Sequence, residues 1–388
     1  MFQNIINRLK FIILLVLVVL ISLTFHPRFI DIGVAENIGR GGILYPYIIV
    51  SFVLLFVLSL GKLKWIKCKD IQVAIIMLLV IFLTSFATII IYDRSLMGEI
   101  RAISICIGAM IIGWQMNLSE KQSQILVFLL AIVVLYVGYL QIFVRGNGLE
   151  IGQYFADQKN ALGPLVATSG LLSLNMLNEK KLPLFLKIIY VAFAFVSFII
   201  ILTIRARAAL FAMIVTTILL LILYDRHKNV LTSTIIVALF LVALFFILPN
   251  AAKQYVYDSI FYGSEGGDIT SGRTERNMQA IEVIFSNPLE GNITRQYNIG
   301  IVHNYFLINL VNYGLFFSIP IIVLYLYILI RNIGFIARSK RIDNAKIGFF
   351  VLLIPFIVSF FEYTFPYGPG TATIMNFIFY GMALKKGY

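Results

Sequence analysis

Charge is scarce in this chain. Of its 388 residues 13 % are charged and 60 % are hydrophobic, with a mean hydropathy of +0.94. A soluble globular domain carries about 25 % charged residues, so that class is excluded. Cysteine is nearly absent as well. Cys68 falls in a connecting loop and Cys106 inside an apolar run, so neither a disulfide framework nor a cysteine metal site is expected. There is no aspartate-rich metal motif and no convincing internal repeat. No small-residue cleavage site follows the first apolar run, which is expected to remain as an uncleaved first helix.

Long apolar runs take the place of what is missing. A bilayer offers no water to satisfy loose backbone groups, so a spanning segment is a helix of about 20 mostly apolar residues. Runs of that kind occupy 9–26, 43–61, 71–92, 99–117, 125–143, 161–178, 184–204, 208–224, 230–248, 304–330, 347–363 and 371–384. They predict an all-α, polytopic integral membrane protein of about twelve transmembrane helices, with residues 1–388 forming a single membrane domain. An even number of spans puts both termini on one side. Lysine and arginine gather on that side, in loops such as 62–70 (with Trp65 as an interfacial anchor) and 331–346, while most acidic residues fall on the other. By the positive-inside bias both termini are expected to be cytoplasmic. The net charge of +13 is thereby a topology signal and calls for no nucleic acid.

The expected outer segments hold the informative polar residues. Residues 249–302 form a large extracytoplasmic loop between the ninth and tenth spans, longer than a mere connection. Within it Met278, Ile281, Ile284 and Phe285 recur at helical spacing. They predict a short amphipathic helix with Arg273 and Arg276 on a different stripe, turned toward a cavity. Thr270 or Ser271 could cap it, and Asn287-Pro288 stops it. Tyr255, Tyr257 and Tyr262 are expected at the interface. His303 and Asn304 open the tenth span, in which Gly314 and Pro320 predict a kink. Histidine is the side chain that ordinarily titrates near neutral pH, and Glu362, at the outer boundary, is a second candidate proton acceptor.

Two further stretches join these. Lys159 and Asn160 precede the sixth span, whose small and polar residues (Gly163, Thr168, Ser169, Gly170, Ser173) suit close helix packing and a central position. Arg205 and Arg207 lie in an almost wholly apolar connection, where each can donate several hydrogen bonds to phosphate oxygens. Being two apart, only one of them points inward if the backbone there is extended. Arg101, one turn inside the fourth span, is expected to pair with Asp93 or Glu99.

Three stretches in order, GQYFADQKNALG (152–163), LTIRARAALFA (202–212) and SGRTERNMQAIEVIFSNPLEGN followed by HNYFLINLVNYG, resemble the O-antigen polymerase and ligase superfamily, the Wzy-type polymerases and their ligase relatives. Asn160 with Leu162, Arg207 with Leu210, Gly272-Arg273, Pro288-Leu289 with Gly291, His303-Asn304 and Gly314 occupy the family's motif positions over about the last two-thirds of the chain. Ala206, Ala208, Asn277, Glu290 and Phe317 depart from it; tryptophan is common where Asn277 stands. The resemblance implies a glycosyltransferase needing no metal or other cofactor, acting at the outer face of the cytoplasmic membrane. Its donor would be a glycan on undecaprenyl pyrophosphate, polymerised into capsule, exopolysaccharide or O-antigen. Arg207 and Arg273, then Arg205 and Arg276, would hold pyrophosphate, with Lys159 and Asn160 beside them. His303 would be the base or acceptor positioner, Glu362 stands behind it, and Asn304 would orient sugar or imidazole. A chain-length regulator and a flippase are the implied partners, alongside membrane lipid. A ligase of the same family would differ only in acceptor. A flippase or other transporter is the reading from another class, but transporters place binding groups near the midplane and show repeat symmetry, whereas here charge gathers at one end.

Overall fold

Apolar runs separated by polar or proline-containing breaks fold as helices throughout, and no strand occurs among the described residues. The computed structural model describes residues 2–27, 44–60, 67–145, 156–179, 181–222, 253–254, 257, 273–294, 296–297, 300, 302–338, 346–368 and 373–387. In chain order the helices are α1 (Phe2–Leu23), α2 (Tyr45–Leu60), α3 (Lys69–Tyr92), α4 (Met97–Gln115), α5 (Glu120–Leu140), α6 (Ala156–Met176), α7 (Leu184–Thr203), α8 (Arg207–Ile222), α9 (Arg273–Ser286), α10 (Tyr305–Arg338), α11 (Ile347–Val358) and α12 (Ile374–Gly387). Six of them, α1, α3, α4, α5, α7 and α10, are long and apolar enough to cross a membrane, and α2, α8, α11 and α12 are shorter apolar helices. The chain is a helical membrane protein. The expected ninth span, 230–248, lies outside the described residues, as do Tyr255, Tyr262 and the expected caps Thr270 and Ser271.

Lipid replaces water as the solvent of the outer surface. Along α3, Ile76, Leu79, Phe82, Leu83, Phe86 and Ile90 are all exposed, a face no soluble protein leaves uncovered. By contrast α6 is buried from Ala161 to Leu177, and Thr168, Ser169, Ser173 and Asn175 are wholly enclosed. Its small residues let neighbours come close: a Cβ at Gly163 would stand 2.6 Å from that of Ala206 and 2.9 Å from that of Ala209. This contact brings the start of α6 against the α7–α8 connection.

The two ends of the bundle keep their polar residues apart. At one end Arg331 of α10 bonds Asp70 of α3 at 2.7 Å, Tyr327 bonds the same carboxylate at 2.8 Å, and Lys385 reaches Asn117 at 2.7 Å. Asn332 donates to the Phe349 carbonyl. These partners let α10 continue to Arg338, past the expected end at 330. The other end gathers the start of α6, the α7–α8 connection, α9 and the segments flanking Glu362.

α10 breaks at Gly314, where φ is +65° and ψ 178°. The amides released there are taken by the turn after α9: Leu315 donates to the Pro288 carbonyl at 2.8 Å and Phe316 to that of Leu289 at 3.3 Å. Gly291, at φ +59°, approaches the same kink from the other side. A Cβ at Gly314 would meet the Leu289 carbonyl oxygen at 2.1 Å. Both motif glycines are thus a backbone-to-backbone joint that fixes α9 on α10. Tyr92, at the end of α3, bonds Glu290 at 2.7 Å and braces the same turn.

Gly314→Ala is expected to destabilise the purified protein by about 2–4 kcal/mol through left-handed strain and the clash, read as a lowered thermal midpoint. Gly334→Ala, in open space within the same helix, should be neutral or raise stability by about 0.5–1 kcal/mol. Equal midpoints for the two variants would contradict the joint.

Candidate functional site

The beginnings of four helices meet at one end of the bundle. Lys159 lies in the first turn of α6, Arg207 starts α8, Arg273 starts α9, and His303 and Asn304 lead into α10. Each helix N-terminus leaves unpaired N–H groups and a partial positive charge. Together with the cationic side chains they frame a site made for anions.

Those side chains line one cavity of about 460 Å³, within the range of ligand sites. Lys159, Asn160, Arg205, Arg207, Arg273, His303 and Glu362 all face it, from segments more than two hundred residues apart in sequence. Ala208, Phe211, Phe360 and Phe361 supply apolar wall, and Thr274 and Asn277 complete it. Arg205 and Arg207 both contribute because the connection is not extended. Arg205 adopts φ +54°, a left-handed conformation that costs a non-glycine residue energy and clusters at functional sites. Pro164 cannot donate to the carbonyl of Asn160, so that carbonyl is released from the helix ladder beside the cavity. Lys159 precedes the apolar run beginning at Ala161, and its ammonium is held below the ordinary lysine value, first by burial and then by Arg207 and Arg273.

One carboxylate organises the cations. Glu362, with its side chain only 6 % exposed, accepts from Arg273 Nη2 at 2.7 Å and stands 3.4 Å from His303 Nδ1. Arg273 Nη1 also donates to the Phe361 carbonyl at 2.9 Å. The backbone holds this arrangement in register: Tyr305 N–H donates to the Ser359 carbonyl at 3.0 Å, and Asn304 Nδ2 to that of Phe360 at 3.2 Å. The His303 ring lies edge-on to Tyr363 at 6.1 Å. In the tautomer that carries its proton on Nδ1, toward the carboxylate, the ring has its lone pair on Nε2.

Several residues sit differently from the sequence-based expectation. Asn304 Oδ1 accepts from the amides of Phe306 and Leu307 at 3.0 and 3.1 Å, so its carboxamide caps α10. Arg276 lies along Gly300 and is not part of the cavity wall. The buried side of α9 is Ala280 and Val283, with Ile284 packed beside them. Met278 and Phe285 are 56 % and 80 % exposed. The small side of the helix is what fits against α10, and the large apolar side chains face outward. Arg101 is exposed and pairs with neither Asp93 nor Glu99; Glu99 instead accepts from Tyr305 Oη at 3.2 Å. Thr274, Asn277, Phe211 and the Phe360–Phe361 pair are wall residues that sequence reasoning did not single out. Their adjacency to Arg273 and Glu362 was the available signal.

A scan against protein-family models finds no match for this chain, and no curated protein matches its sequence.

The arrangement is chemically a polyanion clamp with a hydrogen-bonded imidazole at its edge. Arg207→Ala should weaken binding of inorganic pyrophosphate to the purified protein at least about tenfold, the worth of one charge-assisted hydrogen bond. Arg276→Ala should change it less than about twofold. Titration calorimetry distinguishes the two, and equal losses would contradict the placement of Arg276 outside the cavity.

Proposed function

We propose that the protein is a polysaccharide polymerase of the Wzy type: it transfers a glycan from undecaprenyl pyrophosphate to an acceptor glycan at the outer face of the cytoplasmic membrane. The observation that carries this reading is the meeting of Lys159, Arg205, Arg207, Arg273, His303 and Glu362 around one cavity, three of which, Arg207, Arg273 and His303, stand at positions where the sequence resembles that family. Both termini and the basic loops are placed in the cytoplasm by the positive-inside bias, which puts the cavity outside.

The chemistry asks for little else. A sugar–pyrophosphate bond already has a good leaving group, so the enzyme must bind that group and stabilise the charge that grows on it as the bond breaks. Arginine forks and helix N-termini do this as fixed dipoles and charges. An acceptor hydroxyl oxygen forms the new bond to the anomeric carbon, its proton passes to His303 Nε2, and the electron pair of the broken bond leaves on pyrophosphate. Glu362 holds the imidazole in the tautomer that can accept, and stabilises it once charged. By this reading Glu362 is a positioning residue, and His303 contributes about 10²–10⁴-fold.

His303→Ala and Arg273→Ala are each expected to abolish long-chain polymer while single lipid-linked units persist on the outer face. Gel analysis of surface polysaccharide together with sidedness of the lipid-linked pool reads this out. Normal-length polymer in both variants would refute the assignment, and units trapped on the cytoplasmic side would indicate a flippase.

A further inference from the structure

A second cavity, of about 300 Å³, is lined by residues adjoining those of the first. His303 and Glu362 face the cationic cavity, while their immediate chain neighbours Val302 and Tyr363 face the second one. Its lining differs from that of the first: among the described residues no lysine or arginine lines it, and Glu99, Asn309 and Asn312 supply its principal polar groups. Asn309 is 1 % exposed, and its Oδ1 has no hydrogen-bond partner. A buried acceptor left so costs about 1–3 kcal/mol, which a ligand's donor would recover. The Asn312 carboxamide makes no hydrogen bond among the described residues, and Glu99 Oε2 is met only by the Tyr305 hydroxyl.

We infer that this second cavity binds a neutral sugar ring of the acceptor glycan and presents its hydroxyl to His303 at the edge where the Tyr363 ring meets the imidazole. Carboxamides and a carboxylate match the donors and acceptors of a polyhydroxylated ring, and the Tyr363 face offers an apolar surface for its C–H side. A phosphate is disfavoured by the Glu99 carboxylate in the lining. A cation is disfavoured by Lys159, Arg205, Arg207 and Arg273 in the lining of the first cavity. The volume suits a single ring, at the small end of ligand sites. Donor pyrophosphate and acceptor sugar are thereby sorted by charge between the two cavities. This assignment rests on the transferase reading.

The test uses full-length protein, in cells that make it and purified in lipid nanodiscs, with undecaprenyl pyrophosphate as the probe of the cationic cavity. Asn309→Ala and Asn312→Phe should each cut long-chain polymer at least about tenfold, as expected for a lost hydroxyl contact or a plugged cavity. Both should bind undecaprenyl pyrophosphate within about twofold of wild type. Asn312 is exposed, so its replacement keeps the test valid if Asn309→Ala lowers the amount of folded protein. Unchanged polymer in Asn312→Phe overturns the proposal. So does a loss of undecaprenyl pyrophosphate binding that parallels the loss of polymer, because the two cavities would then be one site. Wild-type protein that neither binds undecaprenyl pyrophosphate nor is needed for polymer overturns the transferase reading and this one with it.

Discussion

A single buried carboxylate, Glu362, has to serve an arginine and a histidine at once, and the surrounding structure is arranged to let it. Its partners Arg273 and His303 arrive on different segments. In a low-dielectric rim an unpaired charge of either sign is costly, and breaking a buried pair leaves the survivor uncompensated. The cap at Asn304 and the Tyr305–Ser359 hydrogen bond fix backbone next to His303 and Glu362, and the joint at Gly291 and Gly314 ties α9, which carries Arg273, to α10. Each can be understood as holding the triangle closed without a side chain in the substrate path.

The second constraint is where the helices begin: the N-termini of α6, α8, α9 and α10 meet at the site. Lys159, Arg207, Arg273 and His303 all sit at such beginnings. Side-chain charge and backbone dipole therefore add rather than compete. The ion pairs of Asp70 with Arg331 and of Glu120 with Lys181 belong to the other end. Polar residues are expensive in the bilayer unless they pair or function. Here one end spends them on pairing, and the other leaves an excess of cations around a cavity.

Much of this was legible in the sequence because lipid imposes a simple rule. Apolar runs of spanning length fold as helices, and the few charges that interrupt them near one end stand out. Lys159, Arg205, Arg207, Arg273, His303 and Glu362 could be nominated on those grounds, and they share one cavity. The misplaced residues failed for local reasons. Arg276 differs from Arg273 by less than one helical turn, and only the docking angle of α9 decides which of them faces inward. The buried residues of α9 are the smaller Ala280 and Val283, whereas periodicity weights the larger Met278 and Phe285. Asn304 carries no mark in the sequence that separates a capping side chain from a ligand-binding one. Arg205 turned inward through a backbone conformation that pattern reasoning assigns to glycine. The second cavity did leave a trace, two asparagines three residues apart in an apolar run. The packing that sets Glu99 and Tyr363 beside them leaves no such trace.

Electron cryo-microscopy of the full-length protein in nanodiscs with undecaprenyl pyrophosphate tests the central claim most directly. The account predicts pyrophosphate density between Arg207 and Arg273, within reach of Lys159, with Glu362 still bridging Arg273 and His303. Density elsewhere on the molecule, or a bound state in which Glu362 has released His303, would contradict it.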